Sequence, residues 1–451
     1  MPEAFFAPPT RSLQPALPPA VTPMSDAFTG RLLVLLSDGT VRASVAALRR
    51  AAGPRVATTL DVRSGALPPD QVAGADAVLF QRLGVALVNV DPRDAERAAR
   101  LRAAAEENAA RILAVEPERR VRALAARTPT RRTAAPQRRA RPGPPGAPAP
   151  AGSEKEFTWG LQATGVPFTA YTGKGVKVAV LDTGFDLRHP DFPSRTIRTA
   201  SFVPGVKKAQ DDHGHGTHCI GTACGPREPY HPPRYGVACE ATILAGKVLS
   251  DEGGGADGEI LAGLEWALAQ GARVVSMSLG AEVTVNDPFS EVFESVGRRA
   301  LAQGALVVAA AGNESDRRGG WYAPVGHPAN CPSILAVGAL DSRMQLGNFS
   351  NRGLVPKGGQ VDLVAPGVDV LSAFPMPMRS QRLSGTSMAT PHVAGLAALW
   401  AEARPKATAA ELWTLLTQHA RRLPHFATDV GAGLVQAPER EAKAGRRSGA
   451  V

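Results

Sequence analysis

VKVAVLD (residues 176–182) is a near-continuous apolar run, interrupted by Lys177 and closed by Asp182. A run that does not alternate forms a strand buried on both faces. Runs of the same kind recur at ATILAGKVL (241–249), ARVVSMSLG (272–280), ALVVAAAGN (305–313) and SILAVGAL (333–340). Between them, GEILAGLEWALAQG (258–271) and SEVFESVGRRALAQG (290–304) read as helices. Buried strands alternating with helices predict an α/β fold, a doubly wound, mostly parallel sheet with helices on both faces. The site of such a sheet lies beyond the carboxyl ends of its strands, and the unusual polar residues of this chain fall there.

Four clusters carry those residues. Asp182 ends the first run and precedes Thr183-Gly184; it reads equally well as a cap for the next segment. DDHGHGTH (211–218) holds three histidines in six residues. Zinc sites use helical H-x-x-x-H spacing or Cys/His pairs; no third and fourth ligand stands out here, so no metal is expected. Gly214 and Gly216 point instead to a tight approach into a helix, with one imidazole held at a cleft. LSGTSMATPH (383–392) enters a helix at a serine and continues through small residues. It is either an N-cap or a nucleophile at a helix N-terminus. Asn313 closes the run 305–313 on the same rim.

Together the clusters complete one chemistry. A serine hydroxyl needs a base to take its proton, and imidazole titrates in the right range. A carboxylate fixes the imidazole tautomer, and an amide donor meets the oxyanion. The chain order Asp182, His215, Ser387 is one of the three known for such triads.

The rest of the chain is less specific. Residues 1–29 are Pro-rich and expected to be disordered. In the domain expected over 30–124, strands are expected at 31–36, 55–62, 84–90 and 111–115, with helices at 45–52 and 91–110. This βαββαβ order predicts a small ferredoxin-like α+β domain. Residues 125–152 form a Pro- and Arg-rich linker whose arginine pairs at 131–132 and 138–139 would be open to proteases. The doubly wound domain is expected over 153–440, followed by a basic flexible tail at 441–451.

Residues 1–150 hold 22 Arg, no Lys and 13 acids, a balance of +9 of the total +10. The basicity therefore belongs to the N-terminal part, and with no nucleic-acid motif it reads as solvated charge. No apolar stretch reaches the ~18 residues of a membrane span. Neither nucleic acid nor a membrane is an expected partner. Four cysteines are too few for a disulfide scaffold; Cys224 and Cys239 bracket a Pro-rich loop and are the pair that could bridge in an oxidising compartment. Met1–Gly30 has no basic start and no unbroken apolar core, so no signal peptide is expected. The compartment is unknown, cytoplasmic by default, with secretion left open.

The motifs VAVLDTG around Asp182, HGTH around His215, MSLG (277–280), AAAGN ending at Asn313, GTSMATPHVAG around Ser387 and GAGLVQA (431–437) resemble those of subtilisin-like serine proteases. The resemblance runs over roughly 155–437. It implies that Asp182 orients the base, His215 is the general base and Ser387 the nucleophile, with Asn313 and the Ser387 N–H forming the oxyanion hole. His213 and His218 would be supporting residues. Ser278-Leu279-Gly280 and Gly253-Gly254-Gly255 match the segments that flank an extended substrate. Ala310, Ala311 and Gly312 match one wall of the P1 pocket, and Glu314 is a candidate acceptor for a basic P1 side chain. The N-terminal domain, with AVEPE (114–118), is similar in pattern to propeptides that chaperone and inhibit such proteases.

The resemblance implies a serine endopeptidase acting on proteins or peptides, made as a self-processing zymogen with its own N-terminal domain as intramolecular inhibitor. Catalysis would need no cofactor; a structural calcium ion is left open. Competing readings are a protease dedicated to one precursor peptide and a non-catalytic peptide-binding relic. The intact Asp182, His215, Ser387 and Asn313 argue against the relic. The chain also departs from the family. Asp257 stands where many members carry an aromatic lid on the P4 pocket, so P4 preference does not transfer. Cys219 follows HGTH, as in proteinase K-like members, which implies mercury sensitivity. The loop Gly225–Gly236 replaces the usual calcium loop, leaving Asp191 as the one matching ligand.

Overall fold

The computed structural model describes residues 26–37, 41–59, 69–89, 112–124, 153–355 and 357–439, with single positions at 62, 65, 67, 99, 101 and 103. The expected disorder over 1–25, the linker over 125–152, the tail over 441–451 and most of the helix expected over 91–110 lie outside the described residues.

The N-terminal unit consists of β1 (Phe28–Leu36), α1 (Val41–Ala52), β2 (Val56–Thr58), α2 (Pro69–Gly74), β3 (Ala77–Phe80), β4 (Val85–Val88) and β5 (Ile112–Ala123). Its strands lie in the order β5-β1-β4-β3-β2. Three expectations change. The sequence reading left out β3, a four-residue run that gains its identity by pairing with β4 on one side and β2 on the other. The first strand starts at Phe28, inside the stretch expected to be disordered, because Phe28 pairs with Arg119. The last strand does not stop at Val115. Pro117 removes one ladder donor, yet the strand passes through it opposite Leu32, with a register shift between Phe28 and Leu32.

The larger unit carries β6 (Lys177–Asp182), β7 (Ile197–Ser201), β8 (Thr242–Lys247), β9 (Gly254–Ala256), β10 (Val274–Met277), β11 (Leu279–Gly280), β12 (Leu306–Ala310), β13 (Leu335–Leu340), β14 (Leu363–Pro366), β15 (Val370–Ala373) and β16 (Ser380–Leu383). Seven of them form a parallel sheet in the order β14-β13-β12-β10-β6-β8-β7. Its helices are α3 (Trp159–Ala163), α4 (His215–Cys224), α5 (Asp257–Ala269), α6 (Glu291–Ala302), α7 (Thr386–Ala403), α8 (Ala409–Gln418) and α9 (Ala427–Val430). Leu181 lies opposite Met277, and Met277 opposite Ala309. That register brings the carboxyl ends of β6, β10 and β12 to one edge, so Asp182, Ser278 and Asn313 emerge side by side. The edge strand β7 and the strands after Leu340 were not expected from sequence.

The two units dock through carboxylates placed at helix N-termini. Glu116 accepts from Ser290 Oγ (2.5 Å), Glu291 N–H (2.7 Å) and Val292 N–H (3.3 Å) at the start of α6. Glu118, fully buried, accepts from Gly258 N–H (2.9 Å) in α5 and from Arg31 Nη2 (2.6 Å). Both acids of AVEPE thus satisfy helix-end donors that would otherwise be orphaned, each worth about 0.5–2 kcal/mol. In return Glu265 of α5 accepts from Thr59 Oγ1 (2.7 Å), Arg82 N–H (3.1 Å) and Leu83 N–H (3.2 Å); burial pushes its carboxyl up.

Candidate active site

Asp182 is the last residue of the buried strand β6 and is fully buried. Its Oδ1 accepts from Thr183 N–H (2.7 Å) and from His215 Nδ1 (2.8 Å). In the neutral ring the Asp182 contact fixes the tautomer, with the proton on Nδ1 and the lone pair on Nε2. His215 opens α4 directly after Gly214, whose φ of 98° is one a Cβ-bearing residue rarely adopts. Burial alone would depress the imidazole, but the Asp182 carboxylate outweighs it and holds His215 well above its usual range.

Ser387 is the second residue of α7. Pro391, inside that helix, has no N–H for the Ser387 carbonyl four residues back. The freed carbonyl accepts instead from Ser278 Oγ (2.8 Å) and Cys219 Sγ (3.5 Å). The Ser387 hydroxyl lies 2.5 Å from the carbonyl oxygen of Leu124 and 3.1 Å from that of Ser278. It is turned to Leu124, and His215 Nε2 has no hydrogen-bond partner among the described residues. Asn313 is oriented by Thr386, whose N–H and Oγ–H both reach Asn313 Oδ1 at 2.9 Å. The amide NH2 is thereby left to donate to the Leu124 carbonyl.

Leu124 is there because β5 runs into the groove. Arg120, Val121 and Arg122 pair antiparallel with Ala256, Gly255 and Gly254, while Arg122 and Ala123 pair with Gly280 and Leu279. Ala123 N–H donates to Gly253 C=O (2.8 Å) and Leu124 N–H to Ser278 C=O (3.2 Å). The segment is thus the middle strand of three, as a bound peptide would be. Gly280 is needed at its position, since a Cβ there would stand 2.4 Å from His327 C=O and 3.2 Å from Leu124 Cδ1.

A family model matches residues 173–434, and its description is the subtilase family. The chain belongs to the subtilase family. It is 40% identical over 253 residues to subtilisin E of Bacillus subtilis (strain 168), covering 56% of this chain and 62% of that protein. It is 39% identical over 283 residues to subtilisin BL of Lederbergia lenta, covering 62% of this chain and 96% of that protein. The chain therefore spans less than two thirds of subtilisin E and nearly all of subtilisin BL.

In this subtilase, Gly253, Gly254, Gly255, Ser278, Leu279 and Gly280 all lie against residues 121–124. Ala310, Ala311 and Gly312 are buried at the end of β12, leading into Asn313. Glu314 Oε2 accepts from Asn313 N–H (2.9 Å) and Asn351 Nδ2 (2.6 Å), and burial pushes its carboxyl up. His218 is supporting: its Nε2 faces Val370 C=O (3.0 Å) and Gln381 C=O (3.1 Å), and burial lowers it to about 3.

Asp191 is held by the loop that replaces the usual calcium loop. Its two oxygens are taken by Tyr230 N–H (3.0 Å) and Tyr235 O–H (2.6 Å), both from the substituted loop. Among the described residues, one His, Cys and acid group brings ligand atoms within 4.8 Å of one another, Asp182, His215 and Cys219. Burial pushes the Cys219 thiol up, which keeps it protonated and a poor ligand. All four cysteines are free and buried, and burial raises Cys224 to about 12. No described helix is long and apolar enough to cross a membrane.

Sequence reasoning assigned no role to Asp211. Buried without exposure, it accepts from Thr183 Oγ1 (2.9 Å), His213 N–H (3.1 Å) and Gly214 N–H (2.8 Å) on Oδ1. Thr217 N–H (2.8 Å) and Oγ–H (2.7 Å) reach its Oδ2. It is the residue that shapes the turn presenting His215. Its signal was its place two residues before the first histidine of DDHGHGTH, which spacing alone could not separate from a solvated acid.

Proposed function

We propose that this chain is a serine endopeptidase made as a zymogen, and that its first substrate is its own Leu124–Ala125 bond. The observation that carries the reading is the placement of the Leu124 carbonyl between Asn313 Nδ2 and Ser387 Oγ, at the end of a strand held on both sides. Ser387 Oγ attacks the Leu124 carbonyl carbon while His215 Nε2 takes its proton. Asp182 holds the imidazolium that results, and Asn313 Nδ2 meets the oxyanion. The C–N bond to Ala125 then breaks, with His215 returning the proton to the departing amine. Water, activated by the same imidazole, releases Leu124 as a carboxylate. Until it leaves, the N-terminal unit fills the groove and acts as intramolecular inhibitor. Protein or peptide substrates would later take the place of residues 119–124, with no cofactor in any step.

A fluorophosphonate probe tests the reading. It is expected to label the processed native chain at Ser387; a processed chain that takes no label contradicts it. Replacing Asn313 by alanine is expected to lower kcat by about 10²–10³ with little change in KM, a magnitude taken from a subtilisin. Steady-state kinetics on a leucyl anilide check this, and a loss confined to KM would contradict the oxyanion role.

The pH dependence follows from His215. A general base works only when neutral, and in the covered state its pKa is raised well above 6.5. The neutral fraction is therefore small at neutral pH and grows as pH rises. Self-processing is expected to accelerate about tenfold per pH unit until that pKa is passed. Cleavage rates followed by gel across the range will check it; a flat profile from about pH 6 to 9 contradicts it.

A further inference from the structure

Beyond the P4 position the groove ends in a buried pair that the proposed chemistry does not use. Asp257, the first residue of α5, and His327 are each 1% exposed. His327 Nε2 lies 2.9 Å from Asp257 Oδ1. The ring stands edge-on to Phe293, with centroids 4.6 Å apart at 82°, and the backbone is held by a two-way pairing with Ala281. A carboxylate acceptor places the ring proton on Nε2 and leaves Nδ1 with a lone pair. That lone pair faces Arg119 Nη1 at 3.4 Å. The other carboxylate oxygen, Oδ2, accepts from the backbone N–H of Arg119 at 3.0 Å.

We infer that Asp257 and His327 form a subsite selecting arginine six residues before the scissile bond. The inference rests on the proposed peptidase reading and deepens it by naming the substrate class, peptides basic at that distance from an apolar P1 residue. The two contacts divide the labour. Asp257 Oδ2 meets a backbone N–H, which any residue but proline offers, and so fixes register. His327 Nδ1 meets the side chain and needs a donor. A guanidinium there donates to Nδ1 and lies beside the Asp257 carboxylate, so it is favoured and a carboxylate is repelled. A pair present only to cap α5 would be indifferent to that side chain.

The test uses the full-length chain after it has processed itself, with quenched peptides carrying residues 117–128, PERRVRALAART. The position of Arg119 is occupied by Arg, Ala or Glu. The readout is the ratio of kcat/KM between peptides for one enzyme, which does not depend on its overall activity. For the native enzyme Arg over Ala is expected to be about tenfold, the scale of one hydrogen bond from a charged donor. Glu is expected to fall below Ala. His327→Phe keeps the ring against Phe293 and removes the acceptor, and it should bring Arg over Ala close to one. A native ratio near one, or a ratio that survives in His327→Phe, overturns the subsite. The anilide of Val-Arg-Ala-Leu, which stops at P4, separates this from failure of the peptidase reading. If the native enzyme cleaves it while ignoring the residue at P6, only the subsite falls. If it cleaves neither, the peptidase reading falls and the subsite with it.

Discussion

Ser387→Ala is expected to lower peptide hydrolysis about 10⁶-fold in kcat, a magnitude borrowed from a subtilisin, and to leave the full-length chain uncut at Leu124–Ala125. The Ser387 hydroxyl is the group beside the Leu124 carbonyl that can become its acyl partner. It touches Leu124 C=O and Ser278 C=O, neither of which needs it for folding. Thermal unfolding of the variant should therefore stay within about 1 kcal/mol of the native zymogen. The comparison is made by intact mass and by melting on the same preparations. A variant that still cuts itself at Leu124 would remove Ser387 from the chemistry. One that melts far below the native chain would mean that lost activity reports folding.

Asp211→Ala is expected to be the most damaging single change outside the reacting groups. Five donors converge on that buried carboxylate, from Thr183, His213, Gly214 and both groups of Thr217. Alanine leaves them unpaired in a site closed to solvent. Each buried unpaired donor costs roughly 1–3 kcal/mol, and partial relaxation brings the total to about 4 kcal/mol. For a domain of this size that is a fall of roughly 7 °C in Tm. Asp211→Asn keeps an acceptor at one oxygen and should lose less. Calorimetry on both variants separates the cases, and an alanine variant within 1 kcal/mol of native would show that the turn holds His215 without Asp211.

The sheet was legible in the sequence where strands are buried on both faces. VKVAVLD, ARVVSMSLG and ALVVAAAGN announce themselves through continuous apolar character, and their ends carry Asp182, Ser278 and Asn313. The strand Ile197–Ser201 was not legible because it is an edge strand with two exposed residues among its five. Leu363–Pro366 is short and ends in proline, and its pairing with β13 supplies what propensity does not. The sharpest miss is the end of β5. Residues 119–123 read RRVRA, polar and ending where a linker begins. Past Arg119, which still pairs with Phe28, their ladder partners are Gly254–Ala256 and Leu279–Gly280, well over a hundred residues away in sequence. No local signal could make residues 120–123 a strand, because their ladder forms in the groove.

The site divides in the same way. Asp182, His215, Ser387 and Asn313 could be read because each sits in a motif whose spacing reflects local geometry, a strand end or a helix start. Asp257 and His327 could not be paired from sequence, since 70 residues separate them and neither lies in a catalytic motif. Thr386 was visible as part of GTS, but its hold on the Asn313 amide depends on two loops meeting.

The most direct test is the mass of the purified full-length chain after incubation at about pH 8–9. The account predicts two products, one ending at Leu124 and one beginning at Ala125, absent from Ser387→Ala. A Ser387-dependent cut confined to residues 126–152, with the Leu124–Ala125 bond intact, would contradict it.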